Sequence, residues 1–129
     1  TVSELAKLAS DFDIFVRLDM EDSDHTESTL RMTEDLHKLG HRNTGVVLQG
    51  RLFRTLDDLE RLSASLGPDA DVRICKGIYL EHPDIAYTGY NDIVRATSAA
   101  VSKALDLGMY VGVASHDHPV INSTIKSLD

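Results

Sequence analysis

Two periodicities of hydrophobic and polar positions alternate along this chain. Four short apolar runs rich in β-forming residues predict strands at residues 12–18, 44–49, 72–76 and 110–115. Apolar residues at helical spacing predict five helices, at residues 2–11, 24–39, 55–66, 91–107 and 119–128. Because helices and strands alternate at the spacing of βαβ units, we expect a parallel sheet with right-handed crossovers.

Local signals mark the helix ends. Asp24 and Glu27 have the spacing of a capping box, and Asn91 is expected to cap the fourth helix. Gly67 is expected to end the third helix, and residues 79–90 form a longer loop before the fourth.

Polar residues stand at the end of every predicted strand. They are Asp19, Glu21 and Asp22, then Gln49, then Arg73 and Lys76, and finally Ser115, His116 and Asp117. Parallel sheets and barrels bind ligands at the carboxyl ends of their strands. We therefore expect these four strand ends to form one site.

The third strand carries two cations, Arg73 and Lys76, within an apolar pattern. A buried parallel strand tolerates such charges only where an anion is available. One interpretation is a structural salt bridge with Asp19 or Asp69. The other is a binding site for phosphate or an electron-rich ring, in which Gly77 allows close approach to the backbone.

Residues at the other strand ends are expected to have either functional or structural roles. Gln49 carries an amide that donates and accepts hydrogen bonds, which suits the edge of a heterocycle. Asp19 and His116 are the favoured functional groups of their clusters. Asp117 is expected to start the last helix, and Cys75 to pack in the interior.

A metal site is an alternative for the same strand ends, because Asp19, Glu21 and His116 are potential ligands. It would make the protein a metal-dependent TIM-barrel lyase or hydrolase. A non-catalytic flavodoxin-like module is a second alternative. Four further histidines are expected to face solvent, and they are His25, His37, His41 and His82.

Composition and charge narrow the classes of partner and site that the chain can have. The net charge of −8 over 129 residues argues against a nucleic-acid partner, since phosphate contacts need a basic surface. A single cysteine excludes an internal disulfide and suits a reducing compartment. No signal peptide is recognisable, and the chain opens on Thr1, within a helical pattern. We therefore expect a fragment in which residues 1–129 form one partial domain.

Four segments resemble successive motifs of the proline dehydrogenase family, in matching order and spacing across essentially the whole chain. They are VRLDMED at 16–22, VVLQ at 46–49, VRICKGIY at 72–79 and VASHD at 113–117. The resemblance implies an α/β fold of four parallel βα units, about half of a (β/α)₈ TIM-type barrel of roughly 250 residues. It also implies FAD-dependent oxidation of L-proline to 1-pyrroline-5-carboxylate, with electrons passed to a quinone.

The resemblance assigns site residues as well. The implied cofactor-binding residues are Gln49, Arg73, Lys76, Gly77, Ser115 and His116. Arg73 is matched to an arginine near flavin N5, and Gln49 to a glutamine on the isoalloxazine edge. Asp19 is matched to an aspartate that organises the proline site, so Asp19 and Arg73 are the implied catalytic residues, and no metal is implied. The implied location is cytoplasmic, with peripheral membrane contact through the quinone.

Two family features are missing from this sequence. The family has a lysine on a strand before the first motif, and a Tyr-x-x-Arg-Arg helix whose arginines hold the proline carboxylate. This chain contains no Arg-Arg pair and predicts no strand before residue 12. We therefore expect a central fragment with little or no activity of its own. Its exposed sheet edges are expected to favour self-association.

Overall fold

A computed structural model describes residues 1–128, and its elements alternate in the expected order. The helices are α1 (Val2–Asp11), α2 (Ser23–Lys38), α3 (Thr55–Leu66), α4 (Tyr90–Asp106) and α5 (His118–Lys126), with a short 3₁₀ helix at Gly67–Asp69. The strands are β1 (Val16–Leu18), β2 (Thr44–Gln49), β3 (Asp71–Cys75) and β4 (Tyr110–Ala114).

The strands form one parallel sheet in the order β1-β2-β3-β4. A doubly wound sheet reverses its strand order at a switch point, whereas a barrel adds strands in sequence. The helices also pack in chain order, α2 on α3, α3 on α4 and α4 on α5. The predicted fold is therefore confirmed as four parallel βα units arranged like half of a barrel.

The core lies between the sheet and its helices. Val46 and Leu48 of β2 pair in register with Val72 and Ile74 of β3, and all four side chains are buried. Leu30, Leu59, Leu62 and Val101 cover them from the helices. Each such side chain contributes about 1.5–3 kcal/mol by leaving water. This packing holds the four strand ends at fixed positions.

Alternate strand positions lie on the opposite, inner face of the sheet. There Arg17 of β1 and Asp71 of β3 form an ion pair of 2.8 Å across Gly45 of β2. A Cβ atom at residue 45 would lie 2.6 Å from the Asp71 carbonyl oxygen and 2.8 Å from the Phe15 ring. A glycine is therefore required where the two charged side chains meet.

The first strand is shorter than the predicted run 12–18. Phe12 is the C-cap of α1, and Asp13 turns the chain with φ 55°. Pairing begins only where the Val16 amide donates to the Asn43 carbonyl. The apolar residues between the turn at Asp13 and Val16 therefore lie outside the strand.

Two predicted helix caps are wrong. Asp22, not Asp24, is the N-cap of α2, and Glu81 from a distant loop accepts hydrogen bonds from the Ser23 amide and hydroxyl at 2.8 and 2.7 Å. The N-cap of α4 is Gly89 in place of Asn91, two residues earlier, and the helix begins at Tyr90.

Burial of His37 differs from expectation, and α1 is only partly covered. His37 is buried, and its Nε2 lies 2.8 Å from the Thr44 carbonyl oxygen, so it does not face solvent. Helix α1 buries Ala6 and Ala9, while Leu5 and Leu8 are each 55% exposed.

Across residues 1–128, none of the helices combines the length and apolarity needed to cross a bilayer.

Candidate functional site

One cavity of about 520 Å³ opens at the carboxyl ends of the four strands. It brings together the seven site residues that the family resemblance assigns, namely Asp19, Gln49, Arg73, Lys76, Gly77, Ser115 and His116. Within residues 1–128, Asp22 and Asp117 of the same strand ends do not line it. Each strand delivers its residues there because the parallel register aligns the strand ends. Cys75, Glu21 and Tyr79 complete much of the wall.

Arg73 lies on the inner face of β3, so the strand accommodates its charge without burying it. Its Nη1 atom lies 3.6 Å from Asp19 Oδ1, and the two side chains are 41% and 78% exposed. An ion pair this long and this exposed contributes little to stability. Asp69, the other expected partner, instead binds Arg42 at 2.6 Å. Arg73 is therefore free to turn toward a ligand.

Lys76 is held more tightly than Arg73. Its Nζ donates to Asp117 Oδ2 at 2.6 Å and lies 5.3 Å from the centre of the Tyr90 ring. The Tyr90 hydroxyl donates to the other carboxylate oxygen at 2.7 Å. The hydrogen bonds from Lys76 and then Tyr90 lower the pKa of Asp117, and the bond to Asp117 raises the pKa of Tyr90.

Asp117 was expected only to start the last helix. It does occupy the N-cap position of α5, but its side chain points to Lys76 and Tyr90. These partners are 41 and 27 residues away in the chain. Sequence reasoning therefore missed this contact, and the only local signal was an acid beside His116.

Gln49 is only 2% exposed and links two of the loops around the cavity. Its Nε2 donates to the Glu21 carbonyl at 2.6 Å, which fixes the orientation of the amide. Among residues 1–128, no donor reaches its buried Oε1 atom. A buried acceptor without a donor is costly, so a ligand that brings an N–H group would stabilise it.

Gly77 lies directly over Gln49 with φ 100°. A Cβ atom there would approach Gln49 Oε1 to 2.6 Å and Arg51 Cδ to 2.8 Å. The close approach expected at this glycine is therefore made by the protein's own side chains. Gly77 still lines the cavity.

The loop between β3 and α4 forms one side of the cavity and is anchored at several points. Arg51 Nη1 donates to the Tyr79 carbonyl at 2.5 Å, and the Tyr79 hydroxyl donates to Glu21. That bond to the Glu21 carboxylate raises the pKa of Tyr79. The Phe53 and Tyr87 rings pack edge to face at 4.7 Å. The tyrosines of this loop were visible in the sequence, but their partners were not.

Cys75 and the histidines play smaller parts. The Cys75 thiol lies 3.6 Å from the Leu48 carbonyl oxygen, and burial raises its pKa, which keeps it protonated. His116 is exposed at the rim of the cavity. Within residues 1–128, no three His, Cys, Asp or Glu side chains converge as metal ligands. Asp19, Glu21 and His116 share the cavity without forming such a set.

The chain is similar to proteins named proline dehydrogenase. A sequence model of the family "Proline dehydrogenase" matches residues 1–120. A proline dehydrogenase of Deinococcus radiodurans is 35% identical over 115 residues, covering 88% of this chain and 36% of that protein. Proline dehydrogenase 2 of Bacillus subtilis is 31% identical over 123 residues, covering 95% of this chain and 39% of that protein. The chain thus spans a little over a third of the length of these relatives.

A solved structure shares the fold. The crystal structure of proline utilization A from Bdellovibrio bacteriovorus, inactivated by N-propargylglycine, superposes with a TM-score of 0.89. The match covers 98% of this chain and 15% of that one, at 19% sequence identity. At this identity the likeness supports the fold alone, and it agrees with the barrel-like strand order.

Proposed function

Because this chain belongs to the proline dehydrogenase family, we propose that it forms the cofactor-binding part of an enzyme that oxidises L-proline to 1-pyrroline-5-carboxylate. FAD is the proposed cofactor, and a quinone is the proposed electron acceptor. The observation that carries this proposal is that all seven motif residues line one cavity at the strand ends.

The cavity suits a flavin nucleotide on two counts. Arg73 brings positive charge to one side of it and Lys76 adds ammonium donors, which together favour phosphate and an anionic reduced ring. Among residues 1–128 the buried Gln49 Oε1 atom accepts no hydrogen bond, which suits an N–H donor on the edge of a heterocycle. When bound there, FAD would supply the chemistry by accepting a hydride from proline C5.

The chain's own residues would bind the cofactor and orient the substrate. The loosely paired Arg73 would turn its guanidinium toward developing negative charge, since its contact with Asp19 is long and exposed. Asp19 would then face the substrate side, where a carboxylate can orient the proline amine. Ser115 and His116 would supply a hydroxyl and an imidazole at the rim.

The chain would form only part of the catalytic barrel. We assign residues 1–129 to a single partial barrel domain, because the sheet of the described residues has four strands where a closed barrel of this type has eight. Arginines of the kind expected to hold the proline carboxylate are missing from the sequence as an adjacent pair. We therefore expect the chain alone to bind the cofactor but to oxidise little or no proline.

Flavin binding tests this function directly. The purified 129-residue chain should quench FAD fluorescence on titration, and Arg73→Met should weaken binding by about tenfold, the loss expected for one charge-assisted contact. Arg31→Met is the matched control, because Arg31 lies on the exposed face of α2 and binds Glu27. Failure of the unaltered chain to bind FAD, or equal binding by Arg73→Met, would count against the proposal.

Turnover tests the partial-domain assignment separately. A proline-dependent dye reduction assay should give little or no activity with this chain at saturating FAD. Robust turnover would show that the chain is sufficient for catalysis and would overturn that assignment.

A further inference from the structure

We infer that Asp117 is a positioning residue of the cofactor site, which fixes the Lys76 ammonium group at the cavity wall. This inference rests on the proposed function, because it concerns how the same cavity presents its charge. Asp117 itself is absent from the cavity lining within the described chain, so it would act through Lys76.

The geometry leaves the Asp117 carboxylate little freedom. Its side chain is 9% exposed, and both oxygens are used, Oδ2 by Lys76 at 2.6 Å and Oδ1 by Tyr90 at 2.7 Å. Its backbone amide also donates to the Ser115 hydroxyl at 3.1 Å. The carboxylate is therefore held from two sides, by Tyr90 at the start of α4 and by Lys76 after β3, while the turn after β4 holds the backbone of Asp117.

This anchor gives Lys76 a defined direction. A lysine side chain has a long flexible stem and a compact charge, so it does not hold one position unaided. The Asp117 contact and the Tyr90 ring restrain the ammonium group. Asp117 accepts from one of its three N–H bonds, and the others remain for acceptors of a ligand in the cavity that Lys76 lines.

The contact with Asp117 gives Lys76 and Arg73 different roles in the cavity. Paired with a carboxylate, Lys76 adds directed donors but almost no net charge. Arg73, whose own partner lies 3.6 Å away and is largely exposed, remains the main source of positive potential. Removing the Asp117 charge should thus both loosen Lys76 and make the site more positive.

Asp117→Asn separates these effects from simple destabilisation, because asparagine keeps the size and still accepts from Tyr90. We expect FAD affinity to fall about tenfold, as for one lost charge-assisted contact. We expect the midpoint potential of the FAD that binds to shift upward, since a nearby negative charge is gone. Asp69→Asn is the control, because Asp69 pairs with Arg42 at the surface away from the cavity.

A second measurement needs no flavin. In the unaltered chain the Lys76 ammonium should give a protected ¹H–¹⁵N signal, and Asp117→Asn should abolish it while the thermal melt stays close to that of Asp69→Asn. Unchanged affinity, potential and ammonium signal in Asp117→Asn would overturn the inference alone. Absence of FAD binding to the unaltered chain would overturn the proposed function and the cofactor role of Asp117 together, even if the ammonium signal shows the contact.

Discussion

Arg17 and Asp71 meet over Gly45, with Arg17 Nη2 2.8 Å from Asp71 Oδ1. The pair is close but poorly aligned, because within the described residues Arg17 Nη1 and Asp71 Oδ1 lack hydrogen-bond partners. The two side chains therefore depend on the space that the glycine leaves between them.

Gly45→Ala should destabilise the protein by about 1–3 kcal/mol, the usual cost of forcing a methyl group into packed surroundings. The added Cβ would lie 2.6 Å from the Asp71 carbonyl oxygen. Urea unfolding measures the change. Gly112→Ala is the matched control on β4, because its Cβ would meet Arg73 only at 3.6 Å or more. Equal losses in the two variants would contradict the steric explanation.

Gly77→Ala should lower both stability and FAD affinity. Its Cβ would collide with Gln49 Oε1 at 2.6 Å, and its φ of 100° is one that alanine rarely adopts. Gly67→Ala provides the comparison, since Gly67 also has positive φ but its Cβ would meet nothing within 4 Å. Fluorescence titration with FAD should therefore distinguish the two, and a normal affinity for Gly77→Ala would show that the Gln49 position is unimportant.

Glu27→Gln should lower the free energy of unfolding by about 1 kcal/mol at pH 7, near the upper limit for exposed ion pairs. Hydrogen bonds from Arg54, and also from Arg31 and Arg61, lower the pKa of Glu27 from 4.5 to about 2. The folded-state pKa lies below the unfolded one, so the stabilisation is present above pH 4.5 and is lost as the pH falls through about 2.

Urea unfolding of Glu27→Gln and the unaltered chain at several pH values measures this difference. The two curves should converge as the unaltered carboxyl group is protonated. Asp35→Asn removes an exposed pair with Lys38 on the same helix and should change little at any pH. A difference for Glu27→Gln that keeps its full pH 7 size at pH 2 would show that the arginine contacts are not its source.

The chain should self-associate as its concentration rises. Among the described strands, β1 and β4 each have only one neighbour, so each leaves backbone groups available for pairing. Leu5 and Leu8 of α1 add exposed apolar surface. Sedimentation velocity should show species heavier than 14.2 kDa, and a single monomeric species across the range would disprove this expectation.

Sequence periodicity predicted the element order and the shared cavity because both follow from short-range patterns. Alternation along β3 places Arg73 opposite Val72 and Ile74, and parallel register brings its end beside Gln49. The contacts that the sequence missed are long-range. Ser23 is bound by Glu81, 58 residues away, and Lys76 by Asp117, 41 residues away, so no local pattern reports them.

His37 shows the same limit on a smaller scale. Its position on α2 fits an exposed polar residue, yet the Thr44 carbonyl oxygen seven residues later gives its ring a buried partner. The end of α1 shows the opposite case, where Phe12, Ile14 and Phe15 match a strand but a turn at Asp13 prevents pairing. In both cases a tertiary contact or turn outweighs the local preference.

The sequential strand order has a consequence for how the chain acquires its structure during synthesis. Strands β2, β3 and β4 each pair with the strand made immediately before them, so strand pairing among the described residues does not wait for a distant strand. Each βα unit can dock on the growing sheet as it leaves the ribosome, which shortens the time for which apolar surface is exposed to misfolding.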